Sequence, residues 1–161
     1  MRELNPGLPN INLRSFIHQI FNHIPQSIIA HIPQGKTENA FTDFMVYKKR
    51  VPVRGAIMLN MAMNKCVLVK GWKSGSSWSF PRGKIDQDED DRDCAIREAL
   101  EETGFDLKGM VEPEDFIELL MRDQNVKLYI APGVPDDADF APQTRNEISV
   151  WIFHSLLSIL C

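Results

Sequence analysis

Hydrophobic periodicity changes once along this chain, near residue 51, and that change limits the folds open to it. Before it, apolar residues recur at Leu13, Phe16, Ile17, Ile20, Phe21 and Ile24, which is one face of a helix. Phe41, Phe44 and Met45 continue the pattern in a second predicted helix from Glu38 to Lys48, with Thr37 as its N-cap. The link HIPQGK between them carries Pro33 and Gly35, which permit a hinge. After residue 51, short runs with strand character take over. VPVRGAIML and KCVLVKGW read as strands around the turn NMAMN, and WSF as a third that stops at Pro81. FIELLM and VKLYIA, split by RDQN, predict a hairpin. PGVPDDADFAPQ is a long loop, ISVWIF a last strand, and HSLLSIL the start of a short helix. Between the two groups of strands lies one helix, Asp90 to Thr103, closed by Gly104. One central helix among mixed strands predicts an α+β sandwich over residues 51–161, preceded by helices over residues 1–50.

Other features narrow the class. No run of eighteen apolar residues is present, so no membrane span is expected. The opening MRELNPGLPN has no apolar signal core. Cys66, Cys94 and Cys161 form an odd set without a CxxC pair, which predicts neither a disulfide framework nor a zinc site. The expected compartment is the reducing interior of a cell.

Charge is sharply divided. Between Asp43 and Asp86 no acid occurs, yet nine cations do: Lys48, Lys49, Arg50, Arg54, Lys65, Lys70, Lys73, Arg82 and Lys84. Asp86 to Asp106 then holds ten acids. A basic segment beside an acidic one suits a polyanion held near a bound cation; solvated strand faces would carry the same lysines. Trp72, Trp78 and Tyr129 can stack a base, with core packing the expected use of Trp78 and Tyr129.

On the central helix, at about 100° per residue, Glu102 lies about 40° to one side of Glu98 and Glu101 about 60° to the other. Ile96 and Leu100 fall opposite, beside Ala99 and Thr103, and form the predicted buried face. Neighbouring carboxylates about 5–6 Å apart repel by about 3 kcal/mol at an effective dielectric of about 20. Arg97 can relieve Glu101 but not the whole group. Clustered hard oxygen donors suit Mg²⁺ or Mn²⁺. The small Cys94 and Ala95 flank that face and are expected to leave room for ions and a phosphate. Gly83 permits a tight bend that aims a carbonyl at the same ions, and Arg82 and Lys84 can hold phosphate oxygens. A charged, solvated helix would show the same spacing.

The motif adds to this. Gly83, five residues, Glu89, seven residues, then Arg97-Glu98-Ala99-x-Glu101-Glu102-x-Gly104-Phe105 resembles the Nudix box, with all seven fixed positions matched. Ala99 is small and Phe105 aromatic where the box has bulky aliphatics. The resemblance implies the Nudix fold, a mixed β-sheet sandwiched by helices, and metal-dependent hydrolysis of a diphosphate joined to another group. The segments YKKRVPVRGAIMLN, WSFPRGKI, DCAIREALEETGFD and QTRNEIS are further similar to the catalytic subunits of mRNA decapping enzymes.

That resemblance implies cleavage of the 7-methylguanosine cap within its triphosphate bridge, giving 7-methyl-GDP and a 5′-monophosphate RNA. It implies that Glu98, Glu101, Glu102 and the carbonyl of Gly83 hold Mg²⁺ or Mn²⁺. Glu147 is implied as general base or further metal ligand, and Glu89 and Arg97 in support. Arg82, Lys84, Lys70 and Lys73 are the expected phosphate and RNA contacts. Residues 1–50 then correspond to part of a regulatory domain that binds an activating subunit, and the expected location is the cytoplasm and its P-bodies. No tryptophan precedes Trp72, so the family's cap-clamping tryptophan is not expected in residues 1–50, and VWIFHSLLSILC keeps the family's last strand and helix only loosely. Hydrolysis of a small nucleoside or inositol diphosphate, or a non-catalytic module binding RNA or partner proteins, are the alternatives.

Overall fold

The computed structural model describes residues 11–30, 37–144 and 148–160. By contact the chain divides into two units, Met1–Lys49 and Arg50–Cys161. In the first, α1 (Leu13–His23) starts at Asn12, whose side chain accepts a hydrogen bond from the Ser15 N–H at 2.8 Å. A four-residue helix, α2 (Gln26–Ile29), follows, which periodicity did not anticipate. Thr37 is the first residue of α3 (Thr37–Arg50) rather than its cap, and α3 runs two residues past Lys48. Ile17, Ile20, Phe21, Phe41 and Phe44, the residues whose spacing predicts the two helices, line one apolar cavity of about 210 Å³. Pro33 and Gly35 lie outside the described residues. No helix among the described residues is long and apolar enough to cross a membrane.

The second unit is a seven-stranded mixed sheet with one long helix upon it. The strands are β1 (Val53–Asn60), β2 (Lys65–Gly71), β3 (Trp78–Ser79), β4 (Arg82–Lys84), β5 (Phe116–Met121), β6 (Gln124–Val134) and β7 (Ile148–Ser155). The helix is α4 (Asp91–Thr103), and a last turn, α5 (Leu157–Leu160), follows β7. The main path runs β3-β2-β1-β6-β5, with β4 also pairing β1 and β7 also pairing β2. β1 and β6 are parallel, Val53 beside Val126 and Ile57 beside Ile130; the other pairings are antiparallel. This is the α+β class expected from the pattern.

Three local features differ from the sequence pattern. Arg82–Lys84 form strand β4, although the pattern ends the strand run at WSF. β6 extends to Val134, into the expected loop. The hairpin turn is Arg122-Asp123 alone, both residues at positive φ (49° and 66°), as a tight two-residue turn requires. The core gathers Ala56, Met58, Val67, Tyr129 and Ala131 from the strands with Ala95 and Ala99 from α4 and Leu107 and Phe140 from loops. Tyr129 is thus core, as expected, but Trp78 is 42% exposed and is not.

Candidate active site

α4 is sharply bounded. Asp90 caps it, accepting from the Arg92 and Asp93 N–H groups at 2.8 and 3.3 Å, and Asp91 and Asp93 place negative charge in its first turn. Gly104 closes it in the left-handed region (φ 77°), where a Cβ would also lie 2.3 Å from the Ala141 carbonyl oxygen. Asp91 accepts from both Arg54 and Lys127, the latter at 2.7 Å, and so fastens the helix start to β1 and β6. Burial works against the Asp91 carboxylate, but the Lys127 and Arg54 hydrogen bonds outweigh it and hold its pKa below the ordinary range.

The helix does not turn as its hydrophobicity predicts. Cys94, Ala95, Ala99 and Thr103 are its buried residues, while Ile96 and Leu100 are only half-buried. Cys94 and Ala95 are therefore packed under the helix with no exposed surface. Their small volume lets α4 lie close to β1, and the glutamates swing toward β4.

There the carboxylates gather on a guanidinium. Arg97 donates through Nε and Nη2 to the two oxygens of Glu89 at 2.7 and 2.9 Å, through Nη1 to Glu98 at 2.8 Å, and more weakly to Glu101 at 3.4 Å. Nη2 also reaches the Lys84 carbonyl at 3.3 Å. The Arg97 guanidinium, helped by the Asp86 N–H and against burial, lowers the Glu89 pKa to about 2. Glu89 in turn raises that of Arg97. Burial and the Glu89 carboxylate push the Cys94 thiol up to about 12. Glu102 accepts from the Arg82 N–H at 3.0 Å. Glu98 lies directly on Gly83: a Cβ there would fall 2.0 Å from its carboxylate oxygen.

The structure thus brings together Gly83, Glu89, Arg97, Glu98, Glu101 and Glu102, and Arg82 and Lys84 join them through a backbone N–H and a backbone carbonyl. Glu98 and Glu101 share Arg97, and Glu102 meets the Arg82 N–H. Among the described residues no three His, Cys, Asp or Glu side chains form a metal centre. Arg97 stands among the carboxylates, and Glu102 turns to a backbone N–H. The donor chemistry nevertheless fits a hard divalent cation, since hard carboxylate oxygens line a strand whose glycine leaves room for one of them. Among the described residues no hydrogen bond or ion pair joins Lys70 or Lys73 to these carboxylates: the Lys70 ammonium is 5.9 Å from the Trp78 ring, and Lys73 is exposed past the end of β2. Arg54, counted among the basic residues for a polyanion, is buried in the Asp91 network, and Lys65 pairs with Asp136 at 2.9 Å. Glu147 lies outside the described residues. Two features are not evident in the sequence. One is the Arg54–Asp91–Lys127 anchor, legible only as an aspartate pair at a helix start. The other is the segment Gln143–Thr144, whose N–H groups donate to the Glu101 carbonyl at 2.8 and 3.3 Å.

Residues 49–160 match the model of the NUDIX domain. Among curated proteins the chain is 50% identical over 159 residues to "mRNA decapping complex subunit 2" of Schizosaccharomyces pombe, covering 99% of this chain and 21% of that protein. It is 48% identical over 156 residues to "mRNA-decapping enzyme subunit 2" of Arabidopsis thaliana, covering 96% and 40%. With "m7GpppN-mRNA hydrolase" of Saccharomyces cerevisiae it shares 43% over 145 residues, covering 90% and 14%. A solved Caenorhabditis elegans Ap4A hydrolase superposes with a TM-score of 0.56 at 20% identity, over 68% of this chain and 83% of that one. A MutT structure, from work on Aliivibrio salmonicida and Vibrio cholerae, superposes at 0.55 and 18% identity, over 70% and 85%. The chain spans between 14% and 40% of the length of these three curated relatives.

Proposed function

We propose, since the chain belongs to the NUDIX domain family, that it is the catalytic part of an mRNA-decapping hydrolase. On this reading it cleaves the 7-methylguanosine cap within the triphosphate bridge and releases 7-methyl-GDP and 5′-monophosphate RNA. The observation that carries the reading is the site on β4 and α4: Arg97 joined to Glu89, Glu98 and Glu101, with Glu98 on Gly83 and Glu102 on the Arg82 N–H. The names of the relatives, 43–50% identical over most of this chain, support the choice of substrate.

Glu98, Glu101 and Glu102, with the Gly83 carbonyl, are the residues assigned to hold Mg²⁺ or Mn²⁺. Such an ion, when bound, polarises a phosphate oxygen and lowers the pKa of a bound water. The chain's own residues do the rest. Arg97 fixes the rotamers of Glu98 and Glu101 by a fork of charge-assisted hydrogen bonds. Glu89 locks Arg97 in turn: the guanidinium it holds lowers its pKa to about 2, so the pair stays charged well into acid. Arg82 and Lys84, on either side of Gly83, bind the bridging phosphates. Glu147 takes the proton of the attacking water or adds a ligand. Lys70 and Lys73 guide the RNA backbone. Capped mRNA is the substrate, and residues 1–50 belong to the part of the protein that meets an activating subunit in the cytoplasm.

The test is cleavage of long RNA labelled in its cap, with Mg²⁺ or Mn²⁺ supplied and the product identified. Release of 7-methyl-GDP is expected, and Glu102→Gln is expected to lower turnover by at least about a hundredfold with an unchanged circular dichroism spectrum. Hydrolysis of a small nucleoside or inositol diphosphate without cleavage of capped RNA would overturn the substrate assignment. Full activity of Glu102→Gln would overturn the ligand assignment.

A further inference from the structure

A second cavity lies where β2 ends and β7 begins. It measures about 460 Å³ and is lined by Trp72, Pro142, Thr144, Ile148, Ser149 and Trp151, among others. Its shape follows from the sheet. Lys70 pairs with Val150, but Gly71 pairs with Ile148, so Ser149 is an extra residue on β7. Such a bulge bends its strand and re-aims the side chains beside it. The Ser149 hydroxyl hydrogen-bonds the Lys70 and Gly71 carbonyls at 3.0 and 3.2 Å, which fixes the bulge in place. Trp72, the next residue after β2, stands at the mouth and is 61% exposed. Trp151 is held edge-on against Phe140, with ring centres 4.8 Å apart, and is still 37% exposed. The third wall, Pro142 to Thr144, is tied to the Glu101 carbonyl by the Gln143 and Thr144 N–H groups. The Thr144 hydroxyl is buried with no hydrogen-bond partner among the described residues.

We infer that this cavity seats a nucleobase of the RNA. The inference rests on the proposed RNA substrate and adds to it a place where the transcript is gripped. Exposed indoles offer π faces that stack any base. Lys70 and Lys73, on either side of Trp72 in the chain, supply positive charge for the adjoining phosphates. An aliphatic partner would use the indoles but leave the flanking Lys70 and Lys73 charges unmatched, whereas a nucleotide brings a π face and a phosphate together. The Pro142–Thr144 wall is tied by backbone hydrogen bonds to the Glu101 carbonyl, so the cavity and the carboxylate helix share an anchor.

The experiment uses the full chain and reads binding without turnover. The indole N–H resonances of Trp72 and Trp151 are followed by NMR during titration with adenosine 5′-monophosphate and, separately, ribose 5-phosphate. Both resonances are expected to shift with the nucleotide and not with the sugar phosphate. Trp72→Ala is expected to weaken nucleotide binding about tenfold, while Trp72→Phe retains most of it. Equal shifts with ribose 5-phosphate would reduce the site to a charge effect and overturn the assignment. Indoles that ignore nucleotide while the chain self-associates would belong to a protein contact, and the base pocket would again be refuted. The two readings fail separately: indole shifts without cap cleavage count against the decapping function alone, and cap cleavage without indole shifts counts against the pocket alone.

Discussion

At the scale of single residues, the site depends on one arginine and one glycine. Arg97 satisfies both oxygens of Glu89 and still reaches Glu98, a reach that only a five-donor fork has. Gly83 is needed for space: any Cβ there would meet the Glu98 carboxylate at 2.0 Å. Gly83→Ala is therefore expected to displace Glu98 and to lower the proposed cap hydrolysis at least about tenfold, about 1.4 kcal/mol of barrier, with little loss of helix by circular dichroism. Glu89 carries a pH dependence. Its pKa falls from 4.5 to about 2 on folding, so its stabilising effect is complete above 4.5 and fades as pH drops toward 2. Urea unfolding should show wild type more stable than Glu89→Gln at pH 7, with the gap closing across that acid window. The identities of these residues are legible from the box spacing. That Glu89 and Arg97 clasp each other is not, since they approach only once the loop after β4 folds back on α4.

At the scale of elements, α4 shows how volume can outweigh hydrophobicity. A helical wheel favours Ile96 and Leu100 for the interior, yet the fully buried positions are Cys94, Ala95 and Ala99, each with no exposed surface, and Thr103 with them. Thr103 tolerates burial because its hydroxyl bonds the Ala99 carbonyl. Ala99→Leu is expected to cost about 1–3 kcal/mol in chemical denaturation through overpacking against the sheet, although leucine is the better match to a bulky aliphatic in the box. Strand β4 is hidden in the sequence for a related reason. Three residues beginning after a proline carry too little alternation to read, and only pairing of Val53, Arg54 and Gly55 with Lys84, Gly83 and Arg82 makes them a strand.

At the scale of the whole molecule, the two units differ in how much they bury. No residue of α1 is buried, whereas β1 has six buried positions out of eight. Hydrogen exchange should therefore release the amides of α1 well before those of β1 and β6, and equal protection would contradict this difference in burial. The break in periodicity near residue 51, the order of strands around one helix and the full set of box residues were determined by the sequence alone, because each is a local pattern of residue types. Tertiary structure alone decided the rotation of α4, the burial of Arg54 with Asp91, the exposure of Trp72 and the bulge at Ser149. Each of those depends on which distant surface a residue meets, and close packing between elements chooses that surface by shape and volume, quantities that a linear pattern of polarity does not carry.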